Sequence, residues 1–303
     1  MSKRIKALIA ATIASFIFGI NHTLAKGLMP DHIQPFGFIV LRVTGAGILF
    51  WLVSIFVKSE PIQRRDWPRI IACAIFGMVI NMLFSFKGLS LSTPINSSVI
   101  ITISPILVFI LSAVLIREKI TFLKAMGAVL GLIGALVLVI FTVQSTSDAP
   151  NIPLGNTLII INAISFGLFL ITVRPLTARY SSITLMKWFF LIAIFINFPI
   201  GISEFSSVEW AELSFSVAWR LCFVVLGPTF LTYLLNIYAL KELSASTLGV
   251  FVYLQPVIAI AFAIISGADQ LNLIKIIAGI LVFVGVFIVS RKPSRKSSKK
   301  AKV

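Results

Sequence analysis

Charge is what this sequence has least of. Asp, Glu, Lys and Arg together make up 12% of its 303 residues, about half the share of an ordinary soluble domain. Acids are the scarcer sign. The ten are Asp31, Glu60, Asp66, Glu118, Asp148, Glu204, Glu209, Glu212, Glu242 and Asp269, and all fall between apolar runs or at their ends. A chain with no carboxylate in mid-run cannot hold the buried acid pair of an intramembrane aspartyl protease. It also lacks the membrane glutamate through which small exporters exchange protons for cations. Only two histidines are present, with no HExxH and no G-x-S-x-G, which removes the zinc-peptidase and serine-hydrolase signatures. Cys73 and Cys222 lie singly in apolar runs, so neither a disulfide framework nor a thiolate metal site is indicated. No polar stretch between runs is long enough for a folded soluble domain. The sequence predicts no catalytic residues, no metal and no cofactor: not an enzyme.

What remains is apolar. Hydrophobic residues are 58% of the chain and the mean hydropathy is +1.05. A helix that crosses a bilayer needs about 20 apolar residues. Ten such runs can be read, at 7–26, 35–57, 68–87, 94–116, 121–141, 153–173, 182–201, 217–240, 245–266 and 272–290. The breaks carry turn or charge signals such as KSEPIQRRDW, SLSTP and RPLTARYSS. The fold class expected is all-α and integral to the membrane. The first run is longer than a signal-peptide core and no A-x-A site follows it, so it reads as a span.

Lys and Arg set the orientation. Twenty-one of the 26 lie on the side of the N-terminus, seven of them in the tail 291–303. Four (Lys26, Lys87, Arg220, Lys275) lie on the other side, and Arg42 lies inside the second span. The positive-inside rule then places both termini in the cytoplasm. The basic tail suits anionic headgroups; with no folded module beside it, it is not read as a nucleic-acid arm.

The two halves resemble each other at a shift of 151 residues. Pro105 falls on Pro256, Glu118 on Asp269, Lys124 on Lys275 and Gly134 on Gly285. Five spans per unit would make the second copy enter from the opposite side, giving two inverted five-helix repeats over 1–141 and 142–290 with a site near the midplane.

Several short motifs then carry a family resemblance. Phe18-Gly19-Ile20-Asn21 followed by Lys26 is similar to a W-G-x-N-x-x-x-x-K run, with Phe in place of the usual Trp. Leu41-Arg42 resembles an early helix 2 arginine, and Ser104-Pro105 and Gln255-Pro256 resemble fourth-helix prolines. Glu118, Gly127 and Gly134 resemble the E-x-x-T…G…G close of a first repeat. In this order the motifs resemble the EamA-like branch of the drug/metabolite transporter superfamily. The resemblance implies a ten-helix secondary transporter of small metabolites, often an exporter, in a bacterial-type inner membrane. Its cavity would be lined by helices 1, 3, 4, 6, 8 and 9.

Candidate lining residues are the polar and aromatic groups within spans. They are Asn21 and His22; Asn81 and Ser85, and Ser98 and Thr102, each four apart; Asn162 and Phe166; Tyr233 and Asn236 after Gly227-Pro228-Thr229; and Tyr253 with Gln255. Amides and hydroxyls on one helix face can bond ammonium and carboxylate groups; each can equally bond a neighbouring helix. Pro105 and Pro256 free a carbonyl four residues back and are candidate hinges. Lys26 and Arg42 would charge an outer vestibule that attracts carboxylates, or snorkel and tie helix ends. His22 is read as neutral at pH 7, because a nearby cation and burial both disfavour the imidazolium. Gly127, Gly131, Gly134, Gly279 and Gly285 are read as close-approach positions. The expected partners are a small solute, amino acids first, and membrane lipid. A lipid-handling protein or a non-transporting scaffold of the same architecture is the alternative reading.

Overall fold

The computed structural model describes residues 1–24, 28–29, 31–57, 59–92, 94–142, 149–265 and 272–291. Among them there is no strand, and ten helices are long and apolar enough to cross a membrane. They are α1 (Lys3–Leu24), α2 (Pro35–Phe56), α3 (Arg64–Leu91), α4 (Pro94–Leu115), α5 (Phe122–Thr142), α6 (Ile152–Thr177), α7 (Ser182–Ser206), α8 (Phe215–Leu240), α9 (Ala245–Val250 continuing as Leu254–Ile265) and α10 (Leu273–Ser290). All ten expected spans are found.

The ends follow local chemistry. Asn151, Ser181, Ser214, Ser244 and Asn272 each accept a bond from the amide three residues on, capping α6 to α10. The start of α2 has Pro35 in its first turn and no cap of its own. Its free amides at Phe36 and Gly37 donate to Glu204 Oε2 of α7, at 2.7 and 2.9 Å. A carboxylate on another helix thus neutralises the positive end of α2. Hydropathy ends the sixth and seventh spans at 173 and 201; both helices run on, through Arg174-Pro175 and through Glu204. Polar residues end a hydrophobic run, but they do not end a helix whose caps lie further along.

The helices pack in matched pairs. α2 lies along α7, and α5 along α10. α6 packs on α3 and α4, while α1 packs on α8 and α9. Adding five to each number converts either of the last two pairings into the other, and the first two into themselves. The seam between α5 and α10 brings backbone against backbone at its glycines. A Cβ added at Gly285 would lie 2.5 Å from the Gly127 carbonyl oxygen, and one at Gly134 would lie 2.6 Å from that of Ala278. Gly131 puts its backbone against Gly285 of α10 and its open Cβ side against the Tyr253 ring. Gly279 departs from the expected role: its nearest neighbour would be Val257 at 3.9 Å, ordinary contact.

Large apolar side chains such as Ile55, Phe122, Phe195 and Phe287 cover the outside. In water this would be an aggregating surface; in a bilayer it is the lipid face. The N-terminal side is tied by polar contacts between the halves. Asp66 accepts from Arg179 Nη1 at 2.7 Å and from the Tyr180 hydroxyl at 2.7 Å. Glu118 pairs with Lys124 at 3.2 Å and accepts from Ser246, while Lys124 donates to Ser244. Burial alone would raise the Glu118 pKa. The hydrogen bonds of Ser246 and Ser244 and the Lys124 charge outweigh it and hold the carboxyl below its ordinary value.

Candidate functional site

Where α2, α3, α6 and α8 meet, two of the helices depart from α geometry at corresponding places. α3 carries a π turn over Ile75–Ile80 and α8 one over Val225–Leu231. The first, moved by 151 residues, falls inside the second. A π turn leaves carbonyls out of the i to i−4 ladder and widens the helix, and such turns gather at functional sites. In α8 the cause is Pro228, which has no N–H to give. In α3 the wide turn lets the Phe169 ring lie against Gly77, where an added Cβ would sit 2.5 Å from it.

The loosened carbonyls find side chains. Ser165 donates to the Phe76 carbonyl at 2.7 Å, and Asn162 Nδ2 to the Asn81 carbonyl at 2.6 Å. The Tyr233 hydroxyl donates to the Gly77 carbonyl at 3.2 Å and lies 3.5 Å from Asn81 Oδ1. Thr229 donates to the Val224 carbonyl at 2.7 Å. Three of the sequence candidates, Asn81, Asn162 and Tyr233, are therefore in direct contact.

Arg42 reaches the same centre from α2. Its Nε donates to Thr229 Oγ1 at 2.8 Å, and Thr229 lies one turn before Tyr233. The guanidinium carbon stands 4.9 Å from the Phe86 ring centre and 5.8 Å from that of Phe38. Arg42 is only 5% exposed. The sequence suggests an open vestibule for it; the structure sinks it beneath two aromatic rings, because Phe38 is one turn before it and Phe86 faces it from α3. Among the described residues no carboxylate bonds it, and its two terminal nitrogens have no protein acceptor.

Other candidates stand apart from this centre. Thr102 is buried and bonds the Ser98 carbonyl of its own helix. Ser85 and Phe166 are half-buried one turn from Asn81 and Asn162, and Asn236 is half-buried on α8. Tyr253 is fully buried against Gly131, with no partner for its hydroxyl among the described residues. Gln255 belongs to the contact of α1 with α9, where a Cβ added at Gly19 would lie 3.0 Å from its carbonyl oxygen; Asn21, two residues further along α1, has a buried Oδ1 with no partner among the described residues. Lys26 and the His22 side chain lie outside the described residues.

The two prolines share a register but not a backbone. α4 runs continuously through Pro105. α9 instead tightens into a 3-10 turn at Phe251–Tyr253 just before Pro256, and the Phe251 carbonyl accepts from Ser15 of α1 at 2.9 Å. Ser15, Ser165 and Phe86 are not legible as site residues in the sequence, since a lone Ser or Phe in an apolar run carries no signal until its neighbour is known.

Two cavities lie away from this centre. One of about 390 Å³ opens among the loops opposite the termini, lined by Asp31, His32, Glu209 and Glu212. The other, of about 520 Å³, is a groove on the lipid face between α1 and the helices α7 and α8.

Known proteins share this organisation. The model of the EamA-like transporter family matches the chain twice, over residues 5–140 and 153–291. An uncharacterized transporter of Archaeoglobus fulgidus is 27% identical over 260 residues, covering 86% of this chain and 90% of its own. The uncharacterized transporter YetK of Bacillus subtilis is 23% identical, over 95% of this chain and 88% of its own. A probable terminal-alkyne amino-acid exporter of Streptantibioticus cattleyicolor is 20% identical, with 84% of each chain covered. A solved crystal structure superposes with a TM-score of 0.78 at 19% identity, covering 94% of this chain and 97% of that one; at that identity the likeness speaks for the fold.

Proposed function

The chain belongs to the EamA-like transporter family, and from that premise we propose that it moves amino acids or related small carboxylates by alternating access about the π-turn centre. The observation that carries this reading is Arg42. A buried guanidinium without a protein carboxylate is costly. Stacking on Phe86 and one bond to Thr229 hold it in place but leave its terminal nitrogens available, and a planar carboxylate is the group they fit. The neutral amides and hydroxyls of Asn81, Asn162 and Tyr233 would meet an ammonium or a polar side chain. Ser85, Phe166, Ser98, Thr102, Asn236, Asn21, His22 and Gln255 would form the wider lining as the helices move, and Lys26 would charge its outer mouth.

The matched helix pairs and matched π turns support two inverted repeats, over 1–141 and 142–290, that rock against each other. The bonds of Asp66 to Arg179, Glu118 to Ser246 and Lys124 to Ser244 join the two halves on the N-terminal side, and they would have to part for opening there. Export across an inner membrane is the direction we propose; the Streptantibioticus relative, an amino-acid exporter by name, supports it. Purified protein in liposomes loaded with unlabelled amino acids should drive saturable counterflow of a labelled one. Flux no greater than in protein-free liposomes, across neutral, acidic and basic amino acids, would remove this reading.

Both termini are proposed to be cytoplasmic, on the 21-to-four division of basic residues. In a Cys-free background a cysteine at Ser206 should react with an impermeant thiol reagent added to intact cells, and one at Gln63 should not. The opposite pattern would invert the topology.

The prolines should differ. Pro256→Ala restores an amide at the break in α9. One added backbone bond, worth about 1 kcal/mol, biases a two-state equilibrium roughly fivefold. Counterflow should therefore fall several-fold with Pro256→Ala at normal expression, and less with Pro105→Ala in the continuous α4. Equal, wild-type flux from both would leave the prolines with a packing role alone.

A further inference from the structure

The groove between α1 and the helices α7 and α8 faces lipid, yet it is not apolar throughout. Lys6 near the start of α1 and Lys241 just past the end of α8 line the same end of it. Both are exposed, and among the described residues neither ammonium has a partner. From that end the walls turn wholly apolar: Ile9 and Ile13 on α1, Leu234 on α8. Ile13 is seven residues inward of Lys6, and Leu234 seven residues inward of Lys241. At 1.5 Å per residue, both walls run about 10 Å into the hydrocarbon layer. Tyr238, 40% exposed, sits between the two zones, the depth at which tyrosine suits a membrane interface. None of the described residues lining the groove is acidic.

We propose that this groove is a binding site for an anionic phospholipid, with one acyl chain along Ile9, Ile13 and Leu234 and the headgroup phosphate between Lys6 and Lys241. The charge and the apolar slot are complementary to that molecule in both parts: a free anion would use only the lysines, and a zwitterionic lipid would leave their charge unmatched. The site joins α1 of the first half to α7 and α8 of the second, so a bound lipid bridges the two halves at their perimeter. Nothing in it depends on which solute the centre carries.

Native mass spectrometry of the full chain in detergent tests it. Palmitoyl-oleoyl phosphatidylglycerol is compared with phosphatidylcholine of the same chains. The wild type should retain one phosphatidylglycerol in preference to phosphatidylcholine. K6Q/K241Q should lose that preference by roughly tenfold, since each basic residue near an anionic lipid surface contributes appreciably, while K3Q/K119Q should keep it. L234W, which fills the slot but leaves the lysines, should lower retention of both lipids. Equal retention of the two lipids by the wild type would overturn the proposal, as would an unchanged preference in K6Q/K241Q. Displacement of phosphatidylglycerol by millimolar glycerol phosphate would reduce the site to an anion contact, and lipid-free dimers blocked by L234W would assign the groove to a second copy of the chain.

Discussion

Gly285→Val should leave little or no folded protein in the membrane, whereas Gly279→Ala should behave as wild type. Both glycines lie on α10. At Gly285 the added Cβ meets the Gly127 carbonyl oxygen at 2.5 Å and the Gly131 nitrogen at 2.6 Å. These are backbone atoms of α5 and cannot swing aside as a side-chain tip would. Relief would require the two helices to separate along the seam. That costs about 1–3 kcal/mol or more for one overpacked site, and it loosens the packing along the rest of the seam as well. At Gly279 a Cβ finds only Val257, at 3.9 Å. Fluorescence-detected gel filtration of tagged protein in mild detergent reads the outcome. A monodisperse Gly285→Val peak of normal height would show that the seam is looser than its geometry.

Arg42→Met should yield a normally folded protein whose saturable counterflow falls ten- to a hundredfold. A bond to a charged group contributes about 1.5–3 kcal/mol, and that range corresponds to this loss of apparent affinity. Met keeps much of the apolar stem that packs by Phe38 and Phe86 and removes a buried charge, so stability should hold or rise. Arg42→Lys keeps the charge but not the planar fork or the Nε bond to Thr229, and should recover only part of the flux. A second readout separates substrate contact from mere support of the helices. The wild type should prefer an amino acid to its methyl ester, and Arg42→Met should lose that preference. A mutant that still discriminates against the ester would place the carboxylate elsewhere in the protein.

The centre around Arg42 is built from side chains that can be located in the sequence only in part. Asn81, Asn162 and Tyr233 stand out because amides and a phenol in apolar runs need partners. Their mutual contact is another matter: it arises from α3, α6 and α8 meeting, and the register that brings Tyr233 to the Gly77 carbonyl is set by two π turns. No hydropathy pattern marks a π turn. Pro228 hints at one of them, and Gly77 alone does not announce the other. Tyr253 shows the converse. By sequence it is as good a lining candidate as Tyr233, yet its ring rests on Gly131 of α5, because α9 breaks at Phe251–Tyr253 and turns that face away.

The number of helices, their order, their approximate bounds and the side to which the basic residues fall are properties of short stretches taken one at a time. A run of about 20 apolar residues must close its own backbone hydrogen bonds in lipid and becomes a helix whatever surrounds it; hence the sequence by itself determined ten spans and an all-α membrane fold. Which faces of those helices touch was decided only by tertiary packing. Outside water there is little hydrophobic preference to say which apolar face goes inward, so the choice falls to fit between surfaces distant in sequence. Gly285 against Gly127, Arg42 against Phe86 and Thr229, and Glu204 over the amides of α2 are pairings between residues far apart in the chain, up to 187 positions for Arg42 and Thr229. Each exists only because two helices arrive at the same depth and facing one another.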